Sequence, residues 1–420
     1  MTVGATGTLS IDGARLLGRL RTLGGIGRDR TGALTRLAAS DADQAGRDAL
    51  AAWIRGAGLD LVVDRVGNLF GIWRGTAAPD AAPVLLGSHI DTVIDAGIYD
   101  GCYGVLAGLE VIETLRAAGH VPSCPIALAA FTNEEGVRYA PDMMGSLVHA
   151  GGLDVATALA TVGSDGSVLG EELARIGYAG TTEPGFLRPC AYVELHIEQG
   201  PILERAGVPI GAVADLQGIS WQRVTIEGVA NHAGTTPMAL RRDAGQAAAQ
   251  VLAFLRAEVA LGTTVATVGC MSFLPNAINV VPARAVFTVD LRDPDALLLA
   301  AAEAKLAKRL DRLAAAEGVA VTVERLARSA PVRFDPGLVA LVEAAAAGRG
   351  LPALRMTSGA GHDAQMMARI CPAAMIFVPS QGGISHNPRE HTAEADLIAG
   401  ANVLLDVVRA LAPCRHAGQP

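Results

Sequence analysis

Four apolar runs in this chain each close on side chains that bind metal ions or move protons: VLLGSHIDT, ALAAFTNEEG, VELHIEQG and MIFVPSQGGISHNP. A short apolar run bounded by turn formers reads as a fully buried strand. In an open α/β sheet, ligands bind beyond the carboxyl ends of the strands. The four runs therefore constrain the chain to a sheet whose strand ends share one crevice, where His89, Asp100, Glu134, Glu135, His196 and His386 would converge.

The surroundings agree with that class. From about Ile54 to Ile210, helical stretches alternate with short apolar strands such as DLVVDRVGNLFGIW and APVLLGSH, the pattern of an α/β sheet with helices on its faces. Around Ala212 the style changes. WQRVTIEGVA reads as a strand, RRDAGQAAAQVLAFLRAEVA as a helix, TTVATVGCMSF and NVVPARAVFTVDLR as two strands, PDALLLAAAEAKLAKRLDRLAAAEG as a helix and VAVTVERL as a last strand. That order, β-α-β-β-α-β, is ferredoxin-like. After Ser329 the first style returns, with a helix at 337–349, the strand AAMIFVPS and a closing helix at 395–412. The simplest organisation is an α/β domain formed by 1–212 and 329–420, interrupted by a small domain at 213–328. Such insertions are tolerated at surface loops.

A chain of 420 residues, half of them hydrophobic, can bury more than one core. The formal net charge of -8 comes from dispersed acidic residues, and no basic arm or stripe points to nucleic acid. No segment offers about 20 uncharged apolar residues, and the amino terminus lacks an apolar core with a cleavage site. The expected setting is cytoplasmic, away from membranes. Six cysteines without CxxC spacing are expected to be reduced thiols.

Histidines and carboxylates at strand ends form a nitrogen and oxygen donor set suited to Zn²⁺, Mn²⁺, Co²⁺ or Ni²⁺. A lone histidine at a strand end is ordinarily a hydrogen-bonding cap; their convergence, with two adjacent glutamates after a buried strand, is what points to cations. With five ligands, one carboxylate bridges two ions, and that bridge is assigned to Asp100. Asp91, two residues beyond His89 on an extended chain, lies on the same face and can accept the free imidazole N–H. In NEEG the two glutamates point to different sides. The spacing does not separate them; Glu135 is taken as ligand and Glu134 as general base.

SHIDT, YDG, NEEGVRY, ELHIEQGP, NHAGTTPM, RRDA, PNAINVVP, VDLRDP, SGAGHDA and GGISHNPRE, in order from about residue 60 to 395, resemble the hydantoinase/carbamoylase amidases of the M20 metallopeptidase superfamily. That group includes N-carbamoyl-L-amino-acid hydrolases, allantoate amidohydrolases and β-ureidopropionases. The resemblance implies a mixed-sheet, dinuclear metal hydrolase domain with an inserted lid that makes a homodimer. It implies two divalent ions, zinc or manganese first, with His89 and His386 on one, Glu135 and His196 on the other, Asp100 between them and Glu134 as base. It implies His232 as oxyanion stabiliser, Asn279 and Arg292 as holders of the substrate carboxylate, and Gln199 as the contact to the amide or ureido group. By residue type alone, Arg292 reads as a surface salt bridge, and His232 and Asn279 as turn residues. His362 and Asp363 stay off the ligand set, His391 reads as a helix-start or rim residue, and Asp95 has no assigned role.

The expected reaction is hydrolysis of an N-carbamoyl or ureido C–N bond on a small carboxylate. The rival within the scaffold is an aminoacylase or peptidase acting on N-acyl amino acids or short peptides. The rival from another class is a non-catalytic binding protein, against which every expected ligand position is filled.

Overall fold

The computed structural model describes residues 9–78 and 80–416, with side chains to Pro413. The chain divides into two units, Met1–Ala214 with Phe334–Pro420, and Asp215–Arg333.

In the first unit, one sheet runs in the order Asp60–Val63, Leu69–Trp73, Ile126–Phe131, Val84–His89, Ala191–Ile197, Ala373–Val378, Ile210–Leu216. The four strands from Ile126–Phe131 to Ala373–Val378 are mutually parallel, while the flanking pairings are antiparallel, so the sheet is mixed. Every residue of those four strands is buried. Parallel strands need crossover connections, which cover both faces and select continuous apolar runs over alternating ones. The parallel direction also fixes the chemistry: all four carboxyl ends open at one edge.

The helix Cys102–Ala117 is buried through most of its length, packed between the sheet and the helices Gly13–Gly25 and Glu394–Leu411. Its approach is close enough that a Cβ on Gly104 would stand 2.3 Å from the Leu195 carbonyl oxygen. DLVVDRVGNLFGIW forms a hairpin, Val63 opposite Leu69, turning through Gly67 at φ +83.

The main sheet of the second unit is antiparallel, in the order Val265–Thr267, Arg284–Asp293, Gly218–Glu227, Ala320–Ser329, with Met271–Leu274 also paired to Arg284–Asp293. Helices Ala244–Phe254 and Ala296–Glu317 close one core with Val224, Ile226, Phe287, Val289 and Leu291. This is the β-α-β-β-α-β arrangement. TTVATVGCMSF, expected as one strand, is two, with Val268–Cys270 between them. NVVPARAVFTVDLR also divides: Val280–Val281 pairs with Asn231–His232, and the main strand starts at Arg284. Pro282 has no N–H to give a ladder, which accounts for the interruption.

Five cysteines, Cys102, Cys124, Cys190, Cys270 and Cys371, are free thiols; the Cys414 side chain lies outside the described residues. Among the described residues, no helix is long and apolar enough to cross a membrane.

One buried group beside the sheet makes stability sensitive to acid. His149 sits against Phe70, Phe131 and Phe186, its Nε2 3.1 Å from the Leu187 carbonyl and its Nδ1 accepting the Gly185 N–H at 3.2 Å. Burial lowers its pKa from 6.5 to about 4. The unfolded chain therefore binds a proton that the folded one refuses, so this group's full stability holds above pH 6.5 and is lost as pH falls toward 4, by about 3 kcal/mol at most. The unfolding midpoint of His149→Gln should fall less between pH 6.5 and 4 than that of the wild type; parallel curves would exclude His149 as the titrating group.

Candidate metal centre and active site

The carboxyl edge of the parallel strands brings the predicted ligands together. His89 ends its strand, His196 lies one residue before the end of the neighbouring strand, Glu134 and Glu135 follow Phe131, and His386 stands in the loop after Val378. Asp100 comes from the segment that starts the helix Cys102–Ala117, where the helix dipole favours a carboxylate. Gly101, at φ +62, is required there: a Cβ would stand 2.3 Å from the His89 Nε2.

The two oxygens of Asp100 face different partners. Oδ1 is 3.2 Å from His196 Nε2 and 3.7 Å from His89 Nε2, while Oδ2 is 3.2 Å from His386 Nε2. Glu135 Oε2 is 3.5 Å from the same His386 nitrogen. The donor atoms thus form two groups that share Asp100, one with His89 and His196 and another with Glu135 and His386, beside a group of His89, Glu134 and Glu135 and one of Glu194, His196 and His362. This pairing differs from the expected one, which joined His89 to His386 and His196 to Glu135. The reason is topological: Val84–His89 and Ala191–Ile197 are adjacent parallel strands, so their histidines open side by side.

Asp91 also takes a different part from the one expected. The His89 Nδ1 lies 2.9 Å from the Asp91 backbone carbonyl and 3.9 Å from its carboxylate. The carboxylate oxygens instead accept the backbone N–H groups of Glu134, at 3.2 Å, and Glu135, at 3.3 Å. One residue therefore orients the imidazole through its carbonyl and aims the two glutamates through its carboxylate.

Glu134 Oε2 is 3.3 Å from His89 Nε2. Burial pushes its carboxyl well above the usual range, with Glu135 adding repulsion and His89 opposing it. Burial likewise takes Glu135 to about 8, helped by the negative charge of Asp100. Asp100 moves the other way: burial would raise it, but hydrogen bonds from His196, His386 and His89 hold it well below normal. The bond to Asp100 lifts His386 to about 9. Buried carboxylates that can lower their charge only by taking protons are the setting in which a divalent cation is favoured. The buried Glu135 Oε1 has no hydrogen-bond partner, a donor atom left for a ligand.

Gln199 closes the site: its Nε2 donates to Asp100 Oδ2 at 2.8 Å, while its buried Oε1 has no partner. Asn133, Gln199 and His386 all adopt positive φ, at 57°, 58° and 51°. Non-glycine residues held there are strained by about 1–3 kcal/mol each, and such strain gathers at functional sites.

Residue typing passed over two further layers. Glu390, buried, accepts the backbone N–H of Tyr99 at 3.0 Å and of Asp100 at 3.3 Å, and the Ser385 hydroxyl, which also reaches Asp100 Oδ2 at 3.2 Å. Behind the histidines, buried Glu194 accepts Ser88 Oγ at 2.6 Å, the Ala364 N–H at 2.7 Å and the Tyr192 hydroxyl at 3.1 Å. Period-two alternation places Glu194 on the same side as His196, a signal hidden inside an apolar run. His362 is buried with its ring centroid 4.5 Å from that of His196, and Asp363 accepts the Ser146 hydroxyl at 2.5 Å. Both support the centre from behind. Asp95 is exposed, its N–H bonded to Thr35 Oγ1. His391 packs its ring on Tyr99 at the rim.

The three remaining predicted residues belong to the second unit, where His232 and Asn279 lie together and Arg292 stands apart. His232 and Asn279 are exposed neighbours, the Ala233 N–H bonded to the Asn279 carbonyl at 2.9 Å. The His232 Nδ1 accepts the N–H groups of Gly234 and Thr235. Arg292 is half-buried and ion-paired with Asp290 at 2.9 Å. It stands near the far end of the Arg284–Asp293 strand, roughly 26 Å beyond the end nearer Asn279 at about 3.3 Å per residue. Asn279 and Arg292 of one chain therefore cannot grip the same small carboxylate.

A family model described as peptidase family M20/M25/M40 matches residues 85–410. The chain is 42% identical over 409 residues to an N-carbamoyl-L-amino acid amidohydrolase of Geobacillus stearothermophilus, covering 96% of this chain and 99% of that one. It is 35% identical over 359 residues to an allantoate amidohydrolase of Bacillus subtilis, covering 84% and 87%. A solved hydantoinase/carbamoylase family amidase from Burkholderia multivorans superposes with a TM-score of 0.93 at 44% identity, over 96% of this chain and 98% of that one.

Metal should report on the centre without any substrate. Mn²⁺ or Zn²⁺ added to EDTA-treated protein at about 100 times Kd should stabilise it by about 2.7 kcal/mol for each ion bound, read as a rise in melting temperature. Asp100→Asn should lose most of that rise; an undiminished rise would place the ions elsewhere.

Proposed function

The chain belongs to peptidase family M20/M25/M40, and on that premise we propose that it hydrolyses the C–N bond of an N-carbamoyl or ureido group on a small carboxylate substrate, an N-carbamoyl-L-amino acid or allantoate. The observation that carries this reading is the split of Asp100 between two donor groups, with the Glu134 carboxyl beside them. The relatives named for N-carbamoyl-L-amino acids and allantoate favour the substrate class.

His89, His196 and Asp100 fit one divalent ion, and Glu135, His386 and Asp100 a second, with zinc or manganese the best match to an all-nitrogen-and-oxygen set. Ions held there supply Lewis acidity, which acidifies water and polarises the scissile carbonyl. The rest falls to the chain's own groups. Glu134, held in place by Asp91, takes a proton from the attacking water as its oxygen adds to the carbonyl carbon. Glu134 then passes that proton to the leaving nitrogen as the C–N bond breaks, giving the free amine and a carbamate that decays to CO₂ and ammonia. Gln199, whose Oε1 has no partner, accepts a ureido N–H and orients the carbonyl.

His232 is assigned to the oxyanion, and Asn279 and Arg292 to the substrate carboxylate. Arg292 suits that task because a guanidinium offers a planar, bidentate fork. The separation of Asn279 from Arg292 is met by a homodimer in which the two come from different copies.

Glu134→Gln should retain both ions by elemental analysis and lose at least about a thousandfold in kcat, within the span of general acid-base catalysis; wild-type turnover at full metal load would exclude Glu134 as base. Arg292→Ala should raise KM for carboxylate substrates about tenfold or more while changing kcat little, because it loses a charge-assisted contact. Turnover of acetyl or dipeptide controls in place of all ureido substrates would overturn the substrate assignment.

A further inference from the structure

Of the 34 lysine and arginine residues, two are lysine, Lys305 and Lys308, and both lie on the helix Ala296–Glu317. With Arg309 and Arg312 they occupy positions three and four apart, one stripe of that helix, and all four line a cavity of about 390 Å³. The stripe flanks the buried face formed by Leu306, Leu310 and Leu313, so it faces the groove toward Phe254 and Leu261. The other wall includes a π-helical turn, Leu255–Val259, a distortion frequent at functional sites.

The charges in this groove are not balanced. Among the described residues, none of Lys305, Lys308, Arg309 and Arg312 forms an ion pair with a carboxylate. Lys305 donates instead to the Glu258 backbone carbonyl at 3.3 Å, and Arg309 to Gln250 Oε1 at 3.0 Å while stacking on Phe254. The Arg309 Nε is buried with no acceptor. Glu258, the one acidic residue among those lining the cavity, pairs with none of the four. Cations at three- and four-residue spacing repel one another and weaken a helix, where alternating glutamates would support it. The chain as a whole is acidic, so no general excess of basic residues explains the cluster.

We propose that this groove is a binding site for a small polyanion, a ligand carrying phosphoryl groups or several carboxylates. Such a ligand would take charge-assisted hydrogen bonds from Lys308, Arg309 and Arg312, with the planar guanidinium forks giving it orientation. Its size class follows from the cavity, which is at the small end of ligand pockets. The site lies wholly within the second unit and uses none of the residues assigned to hydrolysis.

The test is calorimetric titration of metal-loaded, full-length protein with inorganic phosphate, against chloride at matched ionic strength. Saturable binding is expected in the wild type and should weaken at least about tenfold in Lys308→Gln/Arg312→Gln, which removes two charge-assisted donors. Turnover without phosphate should be unchanged in that variant. The exchange Lys308→Arg/Arg312→Lys keeps four cations and two guanidinium forks in the groove and should bind more tightly than the glutamine variant; binding as weak as in that variant would overturn the proposal. Absence of saturable binding, equal binding in the glutamine variant, or capture of an oligonucleotide in place of phosphate would each overturn the proposal.

Discussion

The position of one carboxylate, Asp100, organises the candidate centre. Its oxygens are divided between His89 and His196 on one side and His386 on the other. That division depends on three constraints met together: parallel strands that open their ends at one edge, a helix start that favours negative charge, and a glycine at 101 that lets the His89 ring approach. Loss of any one would leave the same residues present without their geometry.

Around Asp100 the protein holds more buried acid than it neutralises. Glu134, Glu135, Glu194 and Asp363 all sit where burial raises the carboxyl pKa. Glu194 is satisfied by hydroxyl and amide donors, whereas Asp363, Glu135 and Gln199 each keep a buried oxygen without a partner. The layer behind the histidines is therefore closed at Glu194, which holds the site, while Glu135 and Gln199 keep oxygens open to ligands.

The convergence of the ligands was legible because two independent features coincide: unbroken apolar runs, which require burial on both faces, and ligating residues at their ends. The pairing of the ligands was not, since it depends on which strands are neighbours, and the chain order of Val84–His89 and Ala191–Ile197 does not reveal their adjacency. The carbonyl role of Asp91 was hidden for a related reason: residue type says nothing about which of its oxygens is already engaged. Glu390 acts across 290 residues and resembles any exposed acid in a polar loop. The left-handed backbone of Gln199 is invisible to propensity, because glutamine does not favour it. In the second unit, strand length decided what motifs could not, keeping Asn279 and Arg292 apart.

Anomalous diffraction from crystals of the metal-loaded protein, collected at the absorption edge of the bound metal, tests the bridging position of Asp100 directly. Two peaks about 3.5–4 Å apart are predicted, one held by His89 and His196, the other by Glu135 and His386, with Asp100 between them and Glu134 bound to neither. A single peak, or Glu134 among the ligands, would contradict the assignment of Asp100 as bridge and Glu134 as base.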